Sequence, residues 1–273
     1  MYRRYVLILL CITVFGFSTG WWGYSCFNYI PEKKMVVIIP SYNNHKWCER
    51  NLESVFEQKY SNYRVLYIDD CSTDNTYYLA KQTIDKYRQW NRVTLLRNKE
   101  RCGAMANWYH AVNSCDDNEI IINLDGDDWL ENNYVLQRVN EEYHNGAWLT
   151  YGQFKYYPTG TVGYGSPIPQ DIIDNNEFRW YPVVPTHLRT FYAWLFKKIK
   201  KEDCMHEGYF FPTTCDQAMM FPMLEMAGNH AHFIPDVLYV YNQANPLNDG
   251  KLREQMVVAF EYIIRSKDSY ERV

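Results

Sequence analysis

The sequence predicts an α/β protein with a Rossmann-like, mostly parallel sheet flanked by helices. Three observations carry that expectation. Residues 35–40 are a continuous apolar run, the signature of a strand covered on both faces, and shorter strand-like stretches recur at 63–68, 93–96 and 119–124. Helical stretches alternate with them: Trp47, Leu52, Val55 and Phe56 can share one face, Asp74 can cap a helix carrying Leu79, Ile84 and Tyr87, and 103–113 reads as a third. Finally, polar residues gather where these strands end, at Tyr42 and Asn43, Asp69 and Asp70, Asn98, and 125–128. In open parallel sheets ligands bind at the carboxyl ends of the strands.

Beyond residue 128 the alternation weakens. Residues 131–143 read as a helix and 147–154 as a strand, followed at 157–185 by a stretch rich in Gly and Pro with no period. It exceeds the usual loop length, so a functional lid or an irregular excursion is expected. Helices follow at 191–199 and 216–226, strand material at 230–241, and an amphipathic helix at 251–265 whose apolar side packs on the core.

With 28 basic and 32 acidic side chains the net charge is −4, which offers no general attraction to polyanions; nucleic-acid binding is not expected. Residues 5–23 carry no charge and follow Arg3 and Arg4. As a helix they would reach about 28 Å, close to the roughly 30 Å hydrocarbon core, and Trp21, Trp22 and Tyr24 lie where interfacial aromatics belong. An uncleaved anchor is the expectation, with a cleavable signal peptide as the alternative. The organisation is then an anchor and stem at 1–34 and one domain at 35–273. None of the eight cysteines forms a Cys-x-x-Cys pair, so a structural zinc site of usual spacing is not expected.

Chemistry concentrates in Asp125-Gly126-Asp127-Asp128-Trp129, directly after the apolar residues 120–124. Carboxylates crowded at one strand end repel each other unless a cation neutralises them, and oxygen ligands suit Mg²⁺ or Mn²⁺. A calcium EF-hand fails, because Leu130 stands where the turn needs Gly and Leu136 where it needs Glu. A helix cap with exposed charge is the competing reading.

Taken with Val36-Val37-Ile38-Ile39-Pro40-Ser41-Tyr42-Asn43, Leu52-Glu53-Ser54-Val55 and Ile68-Asp69-Asp70-Cys71-Ser72-Thr73-Asp74, that motif resembles the family 2 glycosyltransferases. The resemblance covers residues 35–133 closely and continues weakly to about 227. It implies the GT-A fold, with a nucleotide-sugar-binding half at 35–133 and an acceptor-binding half at 134–273. It further implies inverting, metal-dependent transfer of a sugar from a nucleotide-sugar donor, expected to be a UDP-sugar, to a glycan, protein or lipid acceptor. Pro40 and Tyr42 would shape the base pocket, with Asn43 and Asn98 also at the donor; Asp70 would read the base. Asp125 would lie near ribose and metal, and Asp127 would be the principal metal ligand. His187, within His187-Leu188-Arg189, is a further metal or phosphate candidate.

Asp216 stands where the family places its catalytic base, at the start of an apolar helix; Glu207, Asp203 and Glu225 are the alternatives. One departure is Met105-Ala106-Asn107, where the family often has Ala-Arg-Asn, leaving Arg97 or Arg101 to supply the cation. A catalytically silent, glycan- or partner-binding module is the rival function. The anchor implies a single-pass protein with its domain facing the Golgi or ER lumen, or the cytosol from the inner membrane in a bacterium.

Overall fold

In the computed structural model, which describes residues 30–182, 185–248 and 253–273, strand β1 (Met35–Ser41) is buried along its whole length. Its side chains alternate between two cores: Val36 and Ile38 pack in one, Met35, Val37 and Ile39 in the other. That two-sided burial explains the unbroken apolar run. β2 (Tyr63–Asp69), β3 (Val93–Arg97) and β4 (Ile120–Asn123) run parallel to β1 in the order β3-β2-β1-β4. Helices α1 (Cys48–Phe56) and α2 (Thr76–Tyr87) cover one face together with α4 (Val135–His144), while α3 (Ala104–Asn113) covers the other.

Past β4 the sheet gains β7 (Arg189–Tyr192), β6 (Leu149–Tyr157), β10 (Ala231–Asn242) and the two-residue β5 (Trp129–Leu130), giving the order β3-β2-β1-β4-β7-β6-β10-β5. Strands β7 and β5 are antiparallel to their neighbours; β10 and β6 are parallel to each other. The helix expected at 191–199 is corrected here. Its first residues complete β7, with Phe191 opposite Ile121, and only α6 (Ala193–Lys197) is helical. Pairing with a buried central strand outweighs local helix propensity at these β-forming side chains.

Up to residue 182 the Gly- and Pro-rich stretch is an excursion carrying the short helix α5 (Gln170–Asp174), with Ile168, Ile173 and Phe178 buried in the core. Arg179 fastens it to α7 (Cys215–Ala227) through a buried, two-pronged ion pair with Glu225 at 2.5 and 2.9 Å, and also donates to the Ile264 carbonyl at the end of α8 (Glu254–Arg265). A small hairpin, β8 (Met205–His206) and β9 (Tyr209–Phe210), precedes α7. Residues 31–273 form one compact unit. The expected anchor at 5–23 lies outside the described residues. Among those described, no helix is long and apolar enough to cross a membrane.

Candidate active site

The carboxyl ends of β1 and β4 open onto a cleft of about 770 Å³, closed on its far side by β7, α7 and α8. Gly126 is required where the Asp-rich loop meets β1: a Cβ there would lie 2.5 Å from Ser41 Oγ and 2.8 Å from the Pro40 carbonyl. Asn51, from α1, donates to the Asp125 and Asp128 carbonyls at 2.9 and 2.7 Å and so holds the loop's curvature.

The three carboxylates of that loop have different fates. Asp128 is buried, accepting the Tyr239 hydroxyl at 2.6 Å and the Asn242 N–H at 2.7 Å, and it ties the loop to the end of β10. Asp125 and Asp127 line the cleft. Withdrawal from bulk water, then the charge of Asp127, push Asp125 up to about 6, with Arg189 pulling the other way. Asp127 takes an N–H from Asn245 at 2.7 Å. The motif is therefore not a helix cap with solvated charge.

Beside this cleft, past the end of β2, a compartment of about 350 Å³ is lined by Pro40, Tyr42, Asp70, Arg101 and Asn107. Asp70 is buried and fixed by Asn98 (2.7 Å), the Cys102 N–H (2.9 Å) and the Gly103 N–H (2.9 Å). Only one of these bonds falls on Oδ2, which retains acceptor capacity. Arg101 lies 3.9 Å over the Tyr42 ring, whereas Arg97 is paired with Asp69 at 3.2 Å, so Arg101 is the cation at this end. Asn43 and Asn98 brace rather than line the cleft. Asn43 accepts the Thr73 N–H at 2.9 Å, joining the β1 and β2 loops, and Asn98 links Asp70 to Asn107.

On the far wall, His187 stacks on Tyr239 with centroids 4.4 Å apart, its Nε2 3.9 Å from Asp125 Oδ2. A guanidinium only donates, so the 2.7 Å contact from Arg189 makes Nε2 an acceptor and His187 a neutral Nδ1–H tautomer. Burial, then Arg189, hold its pKa well below the usual 6.5. Ligation of a metal through Nε2 would require Arg189 to be displaced. Asp216, in the first turn of α7, accepts Arg189 at 2.8 Å instead of a backbone N–H, and it lines the cleft.

The alternative bases stand elsewhere. Glu225 is locked to Arg179, Asp203 accepts the Tyr270 hydroxyl at 2.5 Å, and Glu207 projects into solvent from the β8–β9 turn. Glu261 of α8, which sequence reasoning passed over, does line the cleft. So does Arg189, and its signal was legible: it ends the His187-Leu188-Arg189 segment and is an ionic side chain between Leu188 and Thr190-Phe191, just before the helix expected at 191–199. His230 and His232 form no joint site, since His230 stacks on Trp148 and His232 bonds Glu142.

A parallel sheet with an acidic pair at one strand end, and an aromatic ring and a buried carboxylate at its neighbours, defines a GT-A-like nucleotide-sugar cleft. Residues 36–203 match the sequence profile described as Glycosyl transferase family 2, and the chain belongs to that family. Glycosyltransferase GlyG of Streptococcus pneumoniae is 28% identical over 221 residues, 76% of this chain and 70% of its own length. The Escherichia coli UDP-Glc:alpha-D-GlcNAc-diphosphoundecaprenol beta-1,3-glucosyltransferase WfgD is 29% identical over 140 residues, 51% of this chain and 53% of its own, so the chain spans about half of that relative. Among solved structures, S. aureus TarS 1-349 superposes with TM-score 0.59 at 20% identity, covering 87% of this chain and 67% of that one. The mannosyltransferase PcManGT from Pyrobaculum calidifontis, in complex with GDP-Man and Mn²⁺, gives 0.60 at 19%, covering 88% and 66%. At these identities the structural likeness establishes the fold.

Proposed function

We propose that the protein is a metal-dependent, inverting glycosyltransferase that moves a sugar from a UDP-sugar to an acceptor hydroxyl, with Asp216 as general base. One observation carries the reading: Asp125, Asp127 and Asp216, from two distant segments, line the same cleft as Tyr42 and Pro40 in a chain of family 2. Tyr42 offers a ring for base stacking and Asp70 Oδ2 an acceptor for an imide N–H.

The residues suit a divalent cation. Asp125 and Asp127 are hard oxygen donors whose mutual repulsion a cation would relieve, and among the described residues no set of three His, Cys, Asp or Glu side chains makes a closed cage. Mg²⁺ and Mn²⁺ fit such open sites because they share one or two carboxylates with substrate phosphates. Bound there, the ion would supply charge stabilisation for the departing diphosphate. The protein's own part is to orient the donor by its base and to take the acceptor proton at Asp216, whose Oδ2 is held by Arg189.

PcManGT is described with Mn²⁺ and WfgD with a lipid-linked acceptor, which favours metal use and makes a lipid-linked acceptor one class to test alongside glycans and proteins. Residues 5–23 would hold the chain at a membrane, and protease protection in sealed vesicles tests which side the domain faces. The silent-module reading leaned on the arginine missing at Ala106; Arg101 over Tyr42 weakens that ground. Full-length protein in detergent, given UDP- and GDP-sugars with Mn²⁺, should release UDP; no diphosphate release from any sugar would overturn the enzymatic reading.

A further inference from the structure

Arg189 makes an unusually complete set of contacts for a residue beside a candidate base. Each side-chain nitrogen has its own acceptor: Nε donates to the Pro185 carbonyl at 2.9 Å, Nη1 to His187 Nε2 at 2.7 Å, and Nη2 to Asp216 Oδ2 at 2.8 Å. The side chain is 8% exposed and starts from β7, where Arg189 is opposite Asn123 of β4, so its backbone is anchored in the sheet. The planar fork thus joins the loop before β7, the His187 ring 3.9 Å from Asp125, and the first turn of α7.

We propose that Arg189 is a positioning residue for Asp216, an inference that rests on the assignment of Asp216 as base. Its contact engages one carboxylate oxygen only. Oδ1 of Asp216 has no hydrogen bond among the described residues and is left for the acceptor hydroxyl in a cleft-facing side chain. Asp216 sits on a helix whose preceding residue, Thr214, has φ +60 and no capping side-chain bond, so the local backbone does not hold the carboxylate; the guanidinium does. The neutral tautomer of His187 follows from the same fork, and that ring rests on Tyr239, which in turn binds Asp128. Arg189 therefore sets the base in register with the Asp-rich loop without touching the reacting atoms. Lysine retains the charge but not three fixed directions.

A double-mutant cycle tests this, using the protein with Mn²⁺ and reading UDP release from UDP-glucose and UDP-N-acetylglucosamine, with water as the attacking hydroxyl that takes the sugar and gives its proton to Asp216. Arg189→Lys should lower kcat by about tenfold or more with donor KM within about twofold, and should cost less than about twofold further in an Asp216→Asn background. An equal loss in both backgrounds overturns the inference and leaves the base assignment standing, as does a rise in KM with kcat unchanged. Parental turnover by Asp216→Asn alone, or no UDP release by the parent, overturns the underlying assignment instead. Should the lysine variant fail to fold, Arg189→Gln, neutral and still a donor, runs the same cycle with the same criteria.

Discussion

The two walls of the cleft are built differently. On the nucleotide wall, functional side chains sit at the ends of consecutive parallel strands and are braced by neighbouring loops: Asp70 by residues 98–103, Asn43 by Ser72 and Thr73. On the acceptor wall, β7 contributes Arg189, α8 Val257 and Glu261, and α7 four residues of its first turns, and a single guanidinium connects His187 with Asp216. A wall with several redundant braces should tolerate loss of one; a wall hung on one ion pair should not. The buried Arg179–Glu225 pair extends that contrast, since among the described residues it is the charge link between the 157–185 excursion and α7.

The largest break is expected at Asp216. Because a general base typically contributes about 10² to 10⁴ in rate, Asp216→Asn should lose that much turnover while binding donor nearly as before; steady-state kinetics with UDP-sugars would show it. Turnover within about threefold of the parent would pass the role to Glu261, the remaining carboxylate of the acceptor wall among the described cleft residues. On the opposite wall, Asp127→Ala should weaken Mn²⁺-dependent UDP binding by about 100-fold, the scale of a lost buried charge contact, with the melting temperature nearly unchanged. Calorimetric titration with UDP gives the number, and parental affinity would remove Asp127 from the site.

A stability contrast comes next. Glu225→Ala leaves Arg179 buried and unpaired and should cost about 3–5 kcal/mol in urea unfolding, whereas Asn43→Ala on the braced wall should cost about 1 kcal/mol. Equal costs would erase the proposed difference between the walls. Arg101→Ala should weaken UDP binding by roughly tenfold, the order expected for a cation–π wall beside a stacked base.

The smallest effect is on pH. The folded-state pKa of Asp125 is raised from 3.8 to about 6, so the folded form holds its proton more tightly than the unfolded chain. Its contribution is complete below about pH 4 and is lost as pH rises to about 6. Without metal, Asp125→Asn should therefore match the parent's melting temperature near pH 4 and exceed it increasingly up to about pH 6, then run parallel to it. A gap that widens toward acid would contradict the crowded-carboxylate account.

Much of the nucleotide wall could be read directly, because its signals are local. An apolar run followed at once by Asp or Tyr places that side chain at a strand end whatever the rest of the chain does. Asp69 and Asp70 illustrate the boundary: adjacent in sequence, one turns to Arg97 and the other to the base compartment, as alternation along a strand requires. The acceptor wall was less legible. Asp216 was singled out by its family position and Arg189 was noticed only as the end of the His187-Leu188-Arg189 segment, ahead of the helix expected at 191–199, while Glu261 looked like one exposed charge among many on an amphipathic helix.

By itself the sequence determined the strand–helix rhythm, the two-sided burial of β1 and the acidic cluster after β4, since periodicity and composition encode burial over a few residues. Only the tertiary structure decided how the carboxylates divide their tasks. Asp128 became an internal tie because Tyr239 and Asn242, 111 and 114 residues away, reach it from β10, while Asp127 meets Asn245 across 118 residues. Such partners are set by strand order, and strand order depends on the packing of the whole sheet, which no local pattern records.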